Sequence, residues 1–126
     1  MNDEKYQIHE LGQKIEKEAA KWVVARGATI LDRNYRCRMG EIDLIVEERL
    51  PDGRVELVFV EVRARTYGGW VDGVESVDWR KRQRLMRTAR RFLITYCGPA
   101  VGLRFDILSW DGSLWTHVPN AWMDWH

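Results

Sequence analysis

Two carboxylates stand inside otherwise apolar runs of this 126-residue chain. Asp43 lies within Gly40-Glu41-Ile42-Asp43-Leu44-Ile45-Val46, and Glu61 within Val55-Glu56-Leu57-Val58-Phe59-Val60-Glu61-Val62-Arg63-Ala64-Arg65. Both runs are strongly β-prone, and the Pro51-Asp52-Gly53 turn between them predicts a hairpin with a loop of several residues. Side chains two apart on a strand share a face, so Asp43 goes with Glu41 and Ile45, and Glu61 with Phe59 and Arg63. Folding about Pro51–Asp52 sets Asp43 roughly opposite residues 59 to 61, where cross-strand Cβ atoms are ~5 Å apart. Ionised carboxylates at that distance repel, and a cation, a shared proton or a nearby base relieves the repulsion. A hard divalent cation uses one or two carboxylates together with substrate phosphate. Metal-assisted attack on a phosphate is therefore the chemistry this pair could perform. Arg63, next on the face of Glu61, could instead supply the charge, and the competing expectation is that both acids simply face water on a half-exposed sheet.

The elements around this hairpin follow from periodicity. Residues 4–26 read as a helix, with Ile8, Leu11, Ile15, Ala19, Trp22 and Val23 forming one apolar stripe and Gly27 stopping it. Glu16 falls at the border of that stripe, about 80° from its centre. It is either a solvated flank residue or an acid reaching over the sheet edge. Ala28–Asn34 reads as the first strand. The basic segment Arg33-Asn34-Tyr35-Arg36-Cys37-Arg38 then leads to Gly40. Its arginines could hold phosphate oxygens, or pair with Asp32, Glu41 or Glu47-Glu48.

Thr66–Asp78 reads as a long loop carrying Gly68, Gly69 and Gly73, and its Tyr67 and Trp70 could stack on a base or cover the sheet. Asp78 is the expected N-cap of a second helix that runs to about Tyr96, before Gly98-Pro99. Leu85, Ala89, Phe92, Leu93 and Tyr96 form its apolar face. Arg80, Arg84, Arg87 and Arg91 line the opposite face, and no acid occurs between Asp78 and Asp106. Like charges at these spacings weaken an isolated helix, so the stripe points to an anionic partner such as a phosphate backbone, or else to acids elsewhere on the fold. Lys81 sits on the flank between the two faces.

Leu103–Trp110 alternates as a further strand, with Asp106 expected to pair with Arg104 or a helix arginine, or to support the site from behind. Asp111-Gly112 signals a hairpin to Leu114–Val118. The tail Pro119–His126 carries Trp122 and Trp125, which should dock on their own sheet or on a second copy, giving a homodimer through this tryptophan-rich tail. His9, His117 and His126 show no ligand spacing and are read as non-catalytic.

Composition sets the outer limits. The length fits a single domain with a real core, and 45% hydrophobic with 31% charged residues fits a soluble globular protein. A net charge of +1 does not by itself announce a nucleic-acid partner, so charge distribution must carry that case. Cys37 and Cys97 are too few for a disulfide scaffold or a structural zinc site. With no signal-like or membrane-spanning apolar stretch, a soluble protein in a reducing cytoplasm, without a membrane partner, is the expectation.

The order of acid, turn, apolar strand and Glu-x-Arg resembles the PD-(D/E)xK, or restriction-endonuclease-like, nuclease superfamily. Within it, Gly40–Ile45 and Val58–Arg65 are similar to the signatures of the YraN family of small bacterial proteins. Three further segments match in order. Gly12-Gln13-Lys14-Ile15-Glu16-Lys17-Glu18-Ala19 is similar to the family's Gly-x-x-Gly-Glu-x-x-Ala, with Ile15 in place of the second glycine. Arg33-Asn34-Tyr35-Arg36 resembles Arg-Asn-x-Arg, and Arg104-Phe105-Asp106-Ile107 resembles Arg-Phe-Asp-Val. Val77–Leu85 resembles the family's second helix, which carries a lysine at position 81.

The resemblance implies an αβββαββ mixed sheet flanked by helices, in the α/β class. It implies a metal-dependent nuclease acting on DNA, on branched or single-stranded forms in particular. Asp43 and Glu61 would hold Mg²⁺ or Mn²⁺, Glu16 would be an auxiliary ligand, and Arg36, Arg80, Lys81, Arg84, Arg87 and Arg91 would contact nucleic acid. One departure matters: the superfamily's lysine two residues after the glutamate is Arg63 here. Arginine stays protonated and cannot act as a base, though its planar fork can clamp a phosphate oxygen. A DNA-binding module of the same fold without turnover is the alternative.

Overall fold

The computed structural model describes residues 3–64 and 78–122, and the side chains from residue 10 onward within them. Arg65, the loop residues Tyr67 and Trp70, and Trp125 and His126 of the tail lie outside the described residues. The elements run α1 (Asp3–Ala25), β1 (Thr29–Cys37), β2 (Gly40–Arg49), β3 (Val55–Ala64), α2 (Trp79–Thr95), β4 (Gly102–Trp110) and β5 (Trp115–Trp122). This is the expected αβββαββ order.

The five strands form one mixed sheet in the order β1-β2-β3-β4-β5. β1, β2 and β3 are antiparallel neighbours. β3 and β4 are parallel, because α2 carries the chain back between them, and β5 returns antiparallel to β4. β3 is central and buried on both faces, which explains its nearly unbroken apolar run.

Alternation along the strands sends side chains into two layers. Ala19, Ala20 and Val23 of α1 pack on Leu44, Val46, Val58, Val60 and Leu108. Leu85, Met86 and Ala89 of α2 pack on the opposite face, against Ile45, Leu57, Phe59, Phe105 and Ile107. Trp122 belongs to this second layer, stacked on Phe105 with ring centroids 4.8 Å apart. Of the tail tryptophans it is therefore the chain's own sheet that takes Trp122.

Local chemistry fixes the element ends. Gly27, at φ 94°, closes α1 with its N–H on Val24 O at 2.9 Å, while Ala28 N donates to Val23 O at 3.1 Å. This is the left-handed helix stop that glycine makes cheaply. Asp78 caps α2, its carboxylate accepting from Lys81 N at 2.9 Å. Three boundaries differ from the expectation. β1 continues past Asn34 to Cys37, through a bulge after Ile30 and a left-handed Asn34 at φ 54°. The basic segment Arg33–Cys37 is thus strand rather than a connecting approach. β2 likewise runs on to Arg49. β5 continues through Pro119 and Asn120 to Trp122, which an edge strand permits because half its N–H groups need no ladder partner. Among the described residues, no helix is long and apolar enough to cross a membrane.

One polar cluster joins the strands across the α1 face. The Arg104 side chain, 11% exposed, donates to Asp106 through Nε at 2.8 Å and Nη2 at 2.9 Å. It also donates to Glu56 at 2.8 Å and Glu48 at 2.6 Å. Asp106 accepts in addition from Asn120 N at 2.9 Å and meets His117 Nε2 at 2.7 Å. Burial works against the Asp106 charge, but the hydrogen bonds from His117, Arg104 and Asn120 outweigh it and hold the carboxyl below its usual range. Of the partners expected for Asp106, the fold selects Arg104. Removing the guanidinium takes the main counter-charge from buried Asp106 and from half-buried Glu48 and Glu56, and breaking a buried pair typically costs about 3–5 kcal/mol. Arg104→Met is accordingly expected to lower the unfolding free energy by about 3 kcal/mol in urea titrations. A loss under about 1 kcal/mol would mean the cluster does not secure the sheet.

Candidate functional site

The β2–β3 ladder runs from Arg49↔Val55 to Leu44↔Val60 and ends there. Beyond it Asp43 and Glu61 border one cavity, Glu61 lying within the 59–61 stretch that the turn position predicts. Instead of a carbonyl, the Asp43 side chain takes the next N–H of β3: Val62 N donates to its Oδ2 at 2.7 Å. The strand turns at this point, so that Ile42 joins Ile45 in the α2 layer although strict alternation would put it with Leu44.

Asp43 therefore forms a wall between two cavities. One, of about 240 Å³, is bordered by Gly40, Glu41, Asp43, Glu61, Lys81 and Arg84. The other, of about 290 Å³, is bordered by Gln13, Glu16, Lys17, Arg33, Asn34 and Asp43. Gly40 permits the close approach of β2 to α2: at φ 157°, a Cβ there would lie 3.0 Å from Thr88 Oγ1. Glu16 thus faces Asp43 from α1, across the second cavity, while Glu61 shares the first.

Charge in the site is unevenly balanced. Glu61, its side chain 9% exposed, has two cations on one oxygen: Lys81 Nζ lies 2.9 Å from Oε1 and Arg63 Nε lies 3.5 Å away. Arg36 pairs with Glu41 across the strand pair at 3.3 Å, with its own side chain largely exposed. Asp43 has no ion-pair partner among the described residues. Burial raises its carboxyl most, repulsion from Glu61 adds to this, and Glu16 and Glu41 contribute further. The Val62 N–H opposes them, and the net effect pushes Asp43 up to about 7.

The carboxylates of Asp43, Glu61, Glu41 and Glu16 are oxygen donors of the kind a hard divalent ion takes, and Asp43, half-buried between the two cavities, has no ion-pair partner among the described residues. Among the described residues, no three His, Cys, Asp or Glu side chains are already gathered into a cage. Mg²⁺ needs only one or two carboxylates, however, with water and phosphate completing its shell.

The expected nucleic-acid residues divide. Arg80, Arg84, Arg87 and Arg91 are exposed along α2, and Arg84 also borders the first cavity. Lys81 instead turns into the carboxylate pocket. Arg63 is mostly buried, and its Nε and Nη2 have no hydrogen-bond acceptor among the described residues. Sequence reasoning missed the Lys81–Glu61 pair and the place of Gln13 beside Asp43, while Arg33 lies beside Asp43 as the basic segment suggested. The only available signal was the flank position of Lys81, next to the apolar face.

The raised Asp43 carboxyl has a signed consequence. Between 3.8 and about 7 the folded chain holds a proton that the unfolded chain has lost, so stability falls as pH rises through that window. Asp43→Asn keeps an acceptor for Val62 N and removes the charge. In metal-free buffer it should gain on the wild type by about 2 kcal/mol between about pH 5 and about pH 8, read from urea midpoints. A constant difference across that range would contradict the charge account.

The family described as Uncharacterised protein family UPF0102 matches residues 15–109, a span that includes both carboxylates, Arg63, Lys81 and Asp106. A UPF0102 protein of Halorhodospira halophila is 46% identical over 101 residues, covering 80% of this chain and 77% of that protein. A UPF0102 protein of Desulforamulus reducens is 41% identical over 118 residues, covering 88% and 93%. One of Alcanivorax borkumensis is 43% identical over 119 residues, covering 89% and 86%. On these matches, which take in the carboxylate hairpin and α2, the chain belongs to the UPF0102 (YraN) family.

Proposed function

We propose that the chain is a restriction-endonuclease-like, PD-(D/E)xK nuclease that hydrolyses phosphodiester bonds in DNA with Mg²⁺ or Mn²⁺. The observation that carries this reading is the pairing of Asp43 and Glu61 on one cavity, where burial and neighbouring acids leave the Asp43 carboxyl without a counter-charge. Asp43 and Glu61 would hold the ion, with Glu16 contributing from the second cavity. When bound, such an ion polarises the phosphate and lowers the pKa of a water ligand.

The chain's own groups do the rest. Arg63 brings a mostly buried guanidinium beside Glu61, with Nε and Nη2 lacking a hydrogen-bond acceptor among the described residues, and a phosphate oxygen that displaced the covering groups would meet a planar fork. Arg84 sits at the rim of the cavity and continues into the exposed Arg80, Arg87 and Arg91 row. A DNA backbone following α2 would thus lead into the carboxylates. Because Arg63 stays protonated, its contribution is to hold and stabilise negative charge, not to accept a proton.

A second reading is favoured by one feature. Lys81 and Arg63 already neutralise Glu61 without an added ion, as in a DNA-binding module that has lost turnover. The two readings separate in one experiment, in which the protein is incubated with branched and single-stranded DNA and Mn²⁺ beside Asp43→Ala and Glu61→Ala. The nuclease reading expects cutting that depends on metal and falls at least about a hundredfold in either variant. Absent cutting, or equal cutting by Glu61→Ala, sinks it. The module reading then expects salt-sensitive binding that survives Asp43→Ala and weakens about tenfold in Arg84→Ala/Arg87→Ala.

A further inference from the structure

Lys81 reaches Glu61 from a different layer of the fold. It lies in the first turn of α2, where Asp78 accepts its N–H at 2.9 Å and so fixes its backbone. From there its Nζ ends 2.9 Å from Glu61 Oε1, the length of a charge-assisted hydrogen bond. The side chain is 29% exposed and borders the cavity shared with Asp43 and Glu41. Arg63 Nε approaches the same oxygen from β3 but stays 3.5 Å away. The two cations are not equivalent. The Arg63 fork is planar and mostly buried, whereas lysine is a compact charge on a flexible four-carbon stem that can withdraw toward solvent.

We infer that Lys81 is the resident cation of the carboxylate pocket, positioned by Asp78, and that a divalent ion must displace it from Glu61 Oε1 to bind. Lys81 is then a positioning residue for Glu61 rather than part of the backbone-contacting arginine row. It keeps one of the two facing carboxylates neutralised, and it sets a threshold that an incoming ion must exceed. This rests on the reading of the pocket as a divalent-ion site, but not on turnover.

The test is calorimetric titration of the full chain with MnCl₂ and with MgCl₂, without nucleic acid. Wild type is compared with Lys81→Met and Arg84→Met, the second removing a charge from the same cavity without removing a Glu61 partner. Displacement predicts that Lys81→Met binds the ion at least about fivefold more tightly, and that Arg84→Met changes affinity by less than about twofold. Equal or weaker binding by Lys81→Met overturns the inference. So does a matching gain in Arg84→Met, which would show a general field, and so does an absence of binding in all three proteins. Should Lys81→Met fail to fold, Lys81→Gln keeps a polar end at the rim and must show the same tightening. A protein that binds the ion more tightly without Lys81 yet cuts no DNA removes the nuclease reading and leaves this one standing.

Discussion

The hydrogen bond from Val62 N to Asp43 Oδ2 decides how the middle of the sheet is built. It replaces the next rung of the β2–β3 ladder with a side chain, so the strands part where Asp43 and Glu61 face each other. A backbone N–H left without an acceptor at this depth would be costly, and the carboxylate meets that need. The same carboxylate is an awkward charge: burial, Glu61, Glu16 and Glu41 all oppose its ionisation. Local structure needs an acceptor at position 43, and electrostatics penalises a charged one. Such disagreement between levels is what functional sites show, where ordinary core positions show consistency.

The other end of the same strands is arranged oppositely. There Arg104 and His117 meet Glu48, Glu56 and Asp106, and every carboxylate has a donor within hydrogen-bond distance. The cluster touches β2, β3, β4 and β5, so it holds their register. With one end of β2 and β3 fixed by a balanced network, the other end can splay around Asp43 without loss of alignment. Glu47 adds a tie across layers, accepting from Tyr96 Oη at 2.6 Å where α2 ends. The helix that brings Lys81 to the pocket is in this way anchored at both ends, by Asp78 at the start and Tyr96 at the finish.

Much of this frame was legible in the chain because period and punctuation agreed. Ile15, Ala19 and Val23 mark the buried stripe of α1, and the run from Val55 to Val62 marks a central strand. The approach of Asp43 to Glu61 was legible too, since a turn at Pro51–Asp52 leaves few registers, whereas the break in alternation that moves Ile42 into the α2 layer was not. What escaped has physical causes. Basic residues from Arg33 to Arg36 hide the period of β1, which a bulge and a left-handed Asn34 also break. Pro119 and a left-handed Asn120 disguise β5, although Asn120 N is spent on Asp106 rather than on a regular ladder. Lys81 read as one more basic residue of a basic helix, because its partner lies twenty positions away in another layer and no periodicity connects them.

The distribution of counter-charge narrows what the pocket can be for. Glu41 is taken by Arg36, and Glu61 by Lys81 and Arg63, which leaves Asp43 as the carboxyl with neighbours of like sign and no paired cation among the described residues. A purely structural role would be better served by asparagine, which accepts from Val62 N without a charge. A purely nucleic-acid-binding role gains nothing from it either, since a half-buried acid repels phosphate. Two things relieve Asp43: a proton, which it holds up to about pH 7, or a small positive ion. Either would remove the repulsion that burial and the neighbouring acids impose on this carboxyl. Arg63 stays beside Glu61 with Nε and Nη2 buried and without a hydrogen-bond acceptor among the described residues, so this corner of the pocket is electrostatically as unsettled as Asp43 itself.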